Sequence, residues 1–174
     1  MIMGAELGME LPAEKLMIAQ KWMIERANLA AKPVVIGTPM LGSLIKGARC
    51  SRNEALDVAQ AVSDGADCLL LRDETANGEN PVLALTTMSK ICLEIEATLN
   101  YKTLFTEARL YTPTPVSTAE SIAQAVCGAA QDQKSIHLIA VVSETGKLGR
   151  IVAKYKPAVK ILVASPSERV VNQL

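Results

Sequence analysis

The sequence predicts an α/β fold in which parallel strands alternate with crossover helices. Three observations predict it. Short, continuously apolar runs at residues 34–36 (Val-Val-Ile) and 68–71 read as strands covered on both faces. Segments with apolar residues near 3.6-residue spacing separate those runs. Hydrophobic residues make up 49% of the 174-residue chain but aromatics only 3%, which suits aliphatic, Met-rich packing between layers.

The elements follow in order. Residues 1–10 read as the end of a buried strand, a tight turn carrying Glu6, and the approach to a helix. Pro12 suits a first helical turn, where its missing N–H costs nothing, and the helix is predicted over 12–30 through Leu16, Met17, Ala19, Trp22, Met23 and Ala27. Lys32-Pro33 ends it ahead of the 34–36 strand. A loop follows over 37–51, with a short helix at 40–45. Ser51 and Glu54 form a capping box for a helix over 52–63, which Asp64-Gly65 stops. After the 68–71 strand comes a polar turn at 73–80, and Pro81 opens a long helix to about residue 99. Pro113 and Pro115 lie in a Thr-rich stretch, so 100–117 is predicted as a linker. Alternation then resumes, with a helix over 118–130, a strand over 136–142, a helix over 147–155, a strand over 159–163 and a helix starting at 167 and running past Leu174. No internal repeat or low-complexity tract is found. Such alternation implies right-handed crossovers between parallel strands.

Composition narrows the function. Lys+Arg and Asp+Glu are 18 each and the pI is about 6.6, which gives no polybasic surface for nucleic acid or for a membrane. No apolar run approaches the ~20 residues of a membrane span, and the N-terminus does not read as a signal peptide. The four cysteines, at 50, 68, 92 and 127, have no CxxC spacing and read as reduced, mostly buried thiols of a cytoplasmic protein. One histidine, His137, gives no zinc site and reads as a structural residue; Arg49 and Arg52 read as a solvated face. The loop from Ser143 to Lys147 precedes a helix and could cradle a phosphate, but Glu144 would repel an anion, and an ordinary turn is expected. A carboxylate such as Glu6, at the carboxyl end of a strand and just before a helix, stands where α/β proteins place ligands.

Several stretches resemble pyruvate kinase. Residues 1–12 are similar to the family segment with Gly-Asp at its turn. Lys32-Pro33-Val34-Val35 with Thr38 and Met40-Leu41 is similar to the strand and loop around the family's active-site threonine. Ser51-Arg52-Asn53-Glu54, Asp57-Val58-Ala59, Asp64-Gly65-Ala66-Asp67-Cys68, Glu74-Thr75-Ala76 and Pro81 continue in register. Residues 88–92 and 96–101 resemble the plant cytosolic branch most. The resemblance implies that residues 1–99 are the last three βα units of a (β/α)8 TIM barrel, and that 118–174 are part of the family's α/β C-terminal domain. The earlier barrel units, the domain inserted among them and the end of the C-terminal domain are then expected to lie outside these residues.

What the resemblance implies about chemistry is phosphoryl transfer between phosphoenolpyruvate and ADP, giving pyruvate and ATP in glycolysis, with Mg2+ and K+ as cofactors. Glu6 falls on a magnesium ligand, the amides of Ala5 and Glu6 on the binders of the substrate carboxylate, and Thr38 on the threonine beside the enolate carbon, where it helps relay a proton. The second metal-binding carboxylate, the catalytic lysine and the potassium ligands are expected before Met1. The family forms homo-oligomers, with tetramers typical.

The chain departs from the family pattern around this site. Gly4 stands at a basic position, and Ala5 replaces a glycine, where a positive φ would be strained. Glu6 replaces aspartate. Pro39 replaces glutamine, Gly42 an acidic residue, and Arg72-Asp73 a Ser-Gly. Two readings therefore stand. One is a pyruvate kinase sequence whose 174 residues alone are inactive; the other is a non-catalytic remnant or subunit-interaction fragment. A third, weaker reading is a standalone phosphate-binding α/β module.

Overall fold

A computed structural model of the chain describes residues 1–173, with side chains described at all of these but Asp73 and Glu74. The residue that the last predicted helix was to run past, Leu174, lies outside the described residues. The chain divides into two compact units, one of Met1–Asn28 with Pro33–Leu99 and one of Leu29–Lys32 with Asn100–Leu174.

The first unit is built on three parallel segments. Strand β1 (Val35–Ile36) pairs with β2 (Cys68–Leu69), Val35 opposite Cys68 and Ile36 opposite Leu69. On its other side β1 bridges Ile2 in parallel, with the Ile2 amide donating to Val35 O at 2.8 Å and the Gly37 amide to Ile2 O at 2.8 Å. Helices α2 (Ala13–Leu29), α3 (Arg52–Ser63) and α5 (Pro81–Thr98) are the crossover layer. Ile24, Val34, Ile36, Leu41, Leu44, Val58, Ala61, Ala84 and Met88 fill the core between helices and strands.

The predicted turn at residues 4–10 is instead a helix, α1 (Gly4–Glu10). Gly4 and Gly8 are weak helix formers, so local propensity hides it. Packing of Leu7 on the core and the bond from Leu7 N–H to Met3 O at 3.1 Å hold it. Leu11, extended because it precedes Pro12, ends α1 before α2 begins. The predicted capping box is present. Ser51 Oγ accepts from the Glu54 amide at 3.3 Å, and the Glu54 carboxylate takes the Ser51 amide at 2.9 Å. The short helix of the 37–51 loop is a 3-10 turn, Gly42–Ile45, and the polar turn begins with one helical turn, α4 (Asp73–Ala76).

Strand β2 differs from the expectation of burial on both faces. Leu69 and Leu71 pack on the core, but Cys68 and Leu70 point to the opposite, exposed face. The cysteines are correspondingly less buried than expected. All four are free, yet only Cys127 is buried; Cys50 and Cys92 are half-buried.

In the second unit the stretch 100–117 contains a helix, α6 (Tyr101–Tyr111). Asn100 caps it through its side chain, accepting from the Thr103 amide at 3.2 Å, and Phe105 buries its apolar face. Helix α7 (Thr118–Asp132) starts at the Ser117 cap. Strand β3 (Leu138–Val142) pairs in parallel with β4 (Lys160–Ala164), and α8 (Lys147–Lys154) crosses between them. Gly149 of α8 is required by that crossing, since a Cβ there would lie 2.7 Å from Val163 Cγ2. The chain continues into α9 (Glu168–Val171). His137, expected to be structural, is exposed just ahead of β3. The Ser143–Lys147 loop is a turn around Gly146, with φ of 70°, fastened where Ser165 Oγ donates to Glu144 O at 3.2 Å.

Candidate active site

Because Ile2, β1 and β2 run parallel, the residues that follow them emerge on one side. Those residues are Gly4 to Glu6 in the first turn of α1, Thr38 after β1, and Arg72 after β2. This side of a βα sheet is where chains of this architecture place ligands, because the loops there are free to vary while the strands stay fixed.

Thr38 and Gly4 are in contact. A Cβ built on Gly4 would lie 2.6 Å from Thr38 Oγ1 and 2.8 Å from its Cγ2, so position 4 accepts no larger residue unless Thr38 moves. Thr38 is half-buried, and its Oγ1 is fully buried without a hydrogen-bond partner among the described residues. Leaving such a hydroxyl unpartnered costs about 1–3 kcal/mol.

Ala5 and Glu6 lie in the first turn of α1, where backbone N–H groups have no acceptor within the helix. The positive φ expected at Ala5 does not occur. Ala5 is helical, and the non-glycine residues with positive φ among the described residues are Ala31, Leu41 and Lys156. The Glu6 side chain is 53% exposed, and its Oε1 lies 3.8 Å from Nη1 of Arg72. Among the described residues no group of three or more His, Cys, Asp or Glu side chains could hold a metal. The Glu6 carboxylate is exposed, and its oxygen chemistry fits a magnesium ion that takes one or two carboxylates together with substrate oxygens.

The frame beneath these residues is stiff. Thr75 Oγ1 donates to Met40 O at 3.1 Å, tying α4 to the chain after β1, and the Glu79 amide donates to Ile45 O at 2.8 Å. Leu41, fully buried, turns the backbone with φ of 56° to start the 3-10 helix. The Glu54 carboxylate accepts from the Ser43 amide at 2.7 Å and from the Ser43 hydroxyl, as well as from Ser51. Burial pushes the Glu54 carboxyl up, but these bonds outweigh it and bring it down to about 2. Arg49 and Arg52 are exposed, as expected of a solvated face.

The sequence reading marked Arg72 as a departure but not as the partner of Glu6. It also passed over a polar cluster in the second unit. There Glu120 accepts from Lys154 Nζ at 2.7 Å and from the Tyr155 hydroxyl at 2.5 Å, and Gln124 Nε2 donates to the same hydroxyl at 2.9 Å. The available signal was a lysine beside a tyrosine at the end of a strongly amphipathic helix.

Parallel βα units with their polar groups gathered at the strands' carboxyl ends define a segment of an α/β barrel, followed by a separate α/β unit. Residues 1–85 match the family model described as pyruvate kinase, barrel domain, and residues 120–174 that described as pyruvate kinase, alpha/beta domain. The chain belongs to the pyruvate kinase family. It is 46% identical over 174 residues to a pyruvate kinase of Eimeria tenella, covering all of this chain and 33% of that protein. It is 47% identical over 162 residues to a cytosolic isozyme of Glycine max, covering 93% of this chain and 32% of that one. A crystal structure of a pyruvate kinase from Cryptosporidium parvum matches with a TM-score of 0.91 and 42% identity, over 97% of this chain and 34% of that chain. Another, in complex with ADP, matches with a TM-score of 0.87 and 41% identity, over 97% and 33%. The chain thus spans about a third of the length of the relatives it matches. No helix among the described residues is long and apolar enough to cross a membrane.

Proposed function

We propose that the chain forms part of a cytoplasmic phosphotransferase that moves the phosphoryl group of phosphoenolpyruvate to ADP, giving pyruvate and ATP, and that these 174 residues alone do not carry out the reaction. The observation that carries the reading is the gathering of Gly4–Glu6 and Thr38 at the carboxyl ends of adjacent parallel segments, in a chain of this family. The free amides of Ala5 and Glu6 hold the substrate carboxylate. The Thr38 hydroxyl, buried and without another partner among the described residues, faces the enolate carbon and passes its proton. Glu6 is the side chain that would hold Mg2+, and the ion would supply neutralisation of charge developing on the phosphoryl and enolate oxygens. K+ would be held by residues outside this chain. The domain division proposed is 1–99 for the barrel part, 100–117 for the connection and 118–174 for the C-terminal part.

Two measurements on the isolated chain test this reading. Titration of the 15N-labelled chain with phosphoenolpyruvate is expected to shift the amides of residues 3–6, 37, 38 and 40; shifts confined elsewhere would overturn the assignment. A coupled assay with Mg2+, K+, phosphoenolpyruvate and ADP is expected to show no pyruvate, and turnover would overturn the claim of inactivity.

A second reading, a fragment that acts by associating with other subunits, is favoured by the apolar surface of the first unit. Met9, Ile18, Trp22, Val82, Leu85 and Leu93 are exposed, Met9 by 80% and Val82 by 77%. It predicts homo-oligomers, such as the tetramer typical of the family, in sedimentation of the purified chain.

A further inference from the structure

We propose that Arg72 is a built-in competitor for the divalent cation at Glu6: its guanidinium stands beside the carboxylate, and its positive charge weakens the binding of a metal ion there. This rests on Glu6 being the metal-side carboxylate of the proposed site. The Arg72 Nη1 to Glu6 Oε1 distance is 3.8 Å, with the arginine side chain 32% exposed.

Both partners stand on fixed elements, which hold their backbones in place. Arg72 O accepts from the Thr75 amide at 3.0 Å and the Ala76 amide at 2.8 Å, which makes it the start of α4. Helix α4 is tied by Thr75 to Met40 O, and the Leu70 amide donates to Ile36 O at 2.9 Å just ahead of Arg72. Glu6 is anchored on its side by Ile2 in the sheet and Leu7 in the core. Gly4, pressed against Thr38, contributes no side chain of its own to the space beside Glu6.

Electrostatics sets the size of the effect. A guanidinium and a dication sharing one carboxylate lie roughly 6 Å apart, and their repulsion in water alone weakens metal binding about tenfold.

The test uses Mn2+ as the probe and the whole 15N-labelled chain, reading paramagnetic broadening of the amides of α1. The chain is expected to need about tenfold more Mn2+ than its Arg72→Ser variant for equal broadening. Arg72→Gln, which keeps much of the side-chain packing, is expected to match Arg72→Ser, and Arg72→Lys to stay as weak as the parent. Glu6→Gln in the Arg72→Ser background is expected to abolish the gain. Equal Mn2+ affinity in the parent and Arg72→Ser, abolished in both by Glu6→Gln, would overturn the competitor role and leave Glu6 standing as a ligand. Binding as tight in Arg72→Lys as in Arg72→Ser would also overturn it, since packing rather than charge would then be the cause. Broadening indifferent to Glu6→Gln in every variant would overturn the reading of Glu6 itself, and the competitor with it.

Discussion

The Glu6–Arg72 pair in the first unit spans 3.8 Å between side chains 53% and 32% exposed, whereas the Glu120–Lys154 pair in the second closes to 2.7 Å between side chains 15% and 4% exposed. The two use the same chemistry with opposite results. An exposed pair gains little, because water solvates each charge nearly as well as the partner does. Its carboxylate remains free to change partners, which is what a binding residue needs. A buried pair has no such freedom, because each charge, once out of water, is costly without the other. Tyr155 reinforces the second pair, donating to Glu120 while accepting from Gln124. Burial, with the Glu120 carboxylate beside it, pushes the Tyr155 hydroxyl up. The first unit thus keeps its charge where it can be exchanged, and the second uses its charge as a fastening.

The contrast is broken most directly by Glu120→Ala. Removing the acceptor leaves the Lys154 ammonium, 8% exposed as a residue, without its partner, and a loss of about 3 kcal/mol is expected. Amide exchange protection in α7 and α8 checks it; protection unchanged within about 0.5 kcal/mol would show that Lys154 reaches water at no cost.

Acid provides a second, smaller effect. Burial raises the Glu120 carboxyl, but the bonds from Lys154 and Tyr155 and the Lys154 charge bring it below its ordinary value of 4.5. Glu54 sits at about 2. Both are held charged by the fold, so their contribution to stability is complete above about pH 4.5 and is lost as the pH falls through the folded values, toward about 2 for Glu54. Protection in α3 is expected to fall between those limits in the parent and to depend less on pH in Glu54→Gln. An unchanged slope in that variant would remove Glu54 as the cause.

The smallest expected effect is that of Glu6→Gln on stability, within about 0.5 kcal/mol by chemical denaturation. A loss above about 2 kcal/mol would make the exposed pair a fastening after all and erase the contrast.

What could be read from the sequence divides along the same line. Local signals were legible. Ser51 and Glu54 stand three residues apart, and the box they form is in place. Pro81 opens α5 as its fixed φ requires. Helix α1 was not legible, because two glycines outweigh a single leucine whose core contact is long-range. The position of Thr38 came from the family pattern, but its contact with Gly4 depends on two parallel segments lying side by side. Glu120 and Lys154 are 34 residues apart, and Glu6 and Arg72 further, so neither pairing leaves a mark in any window of sequence. Parallel pairing, which always joins distant segments, hides from the sequence the contacts that make a site.

Leu41 shows what this frame does to its own freedom to change. Its left-handed backbone asks for glycine or asparagine, and its complete burial asks for a large aliphatic side chain. No amino acid satisfies both. Glycine would relieve about 1–2 kcal/mol of backbone strain and open a cavity costing about 2–5 kcal/mol. The position is therefore a mutational dead end, from which every single step leads downhill. Ala5 and Arg72, beyond the carboxyl ends of the strands of the same unit, are under no such bind. A site of this construction can drift in its chemistry while the turn beneath it stays frozen.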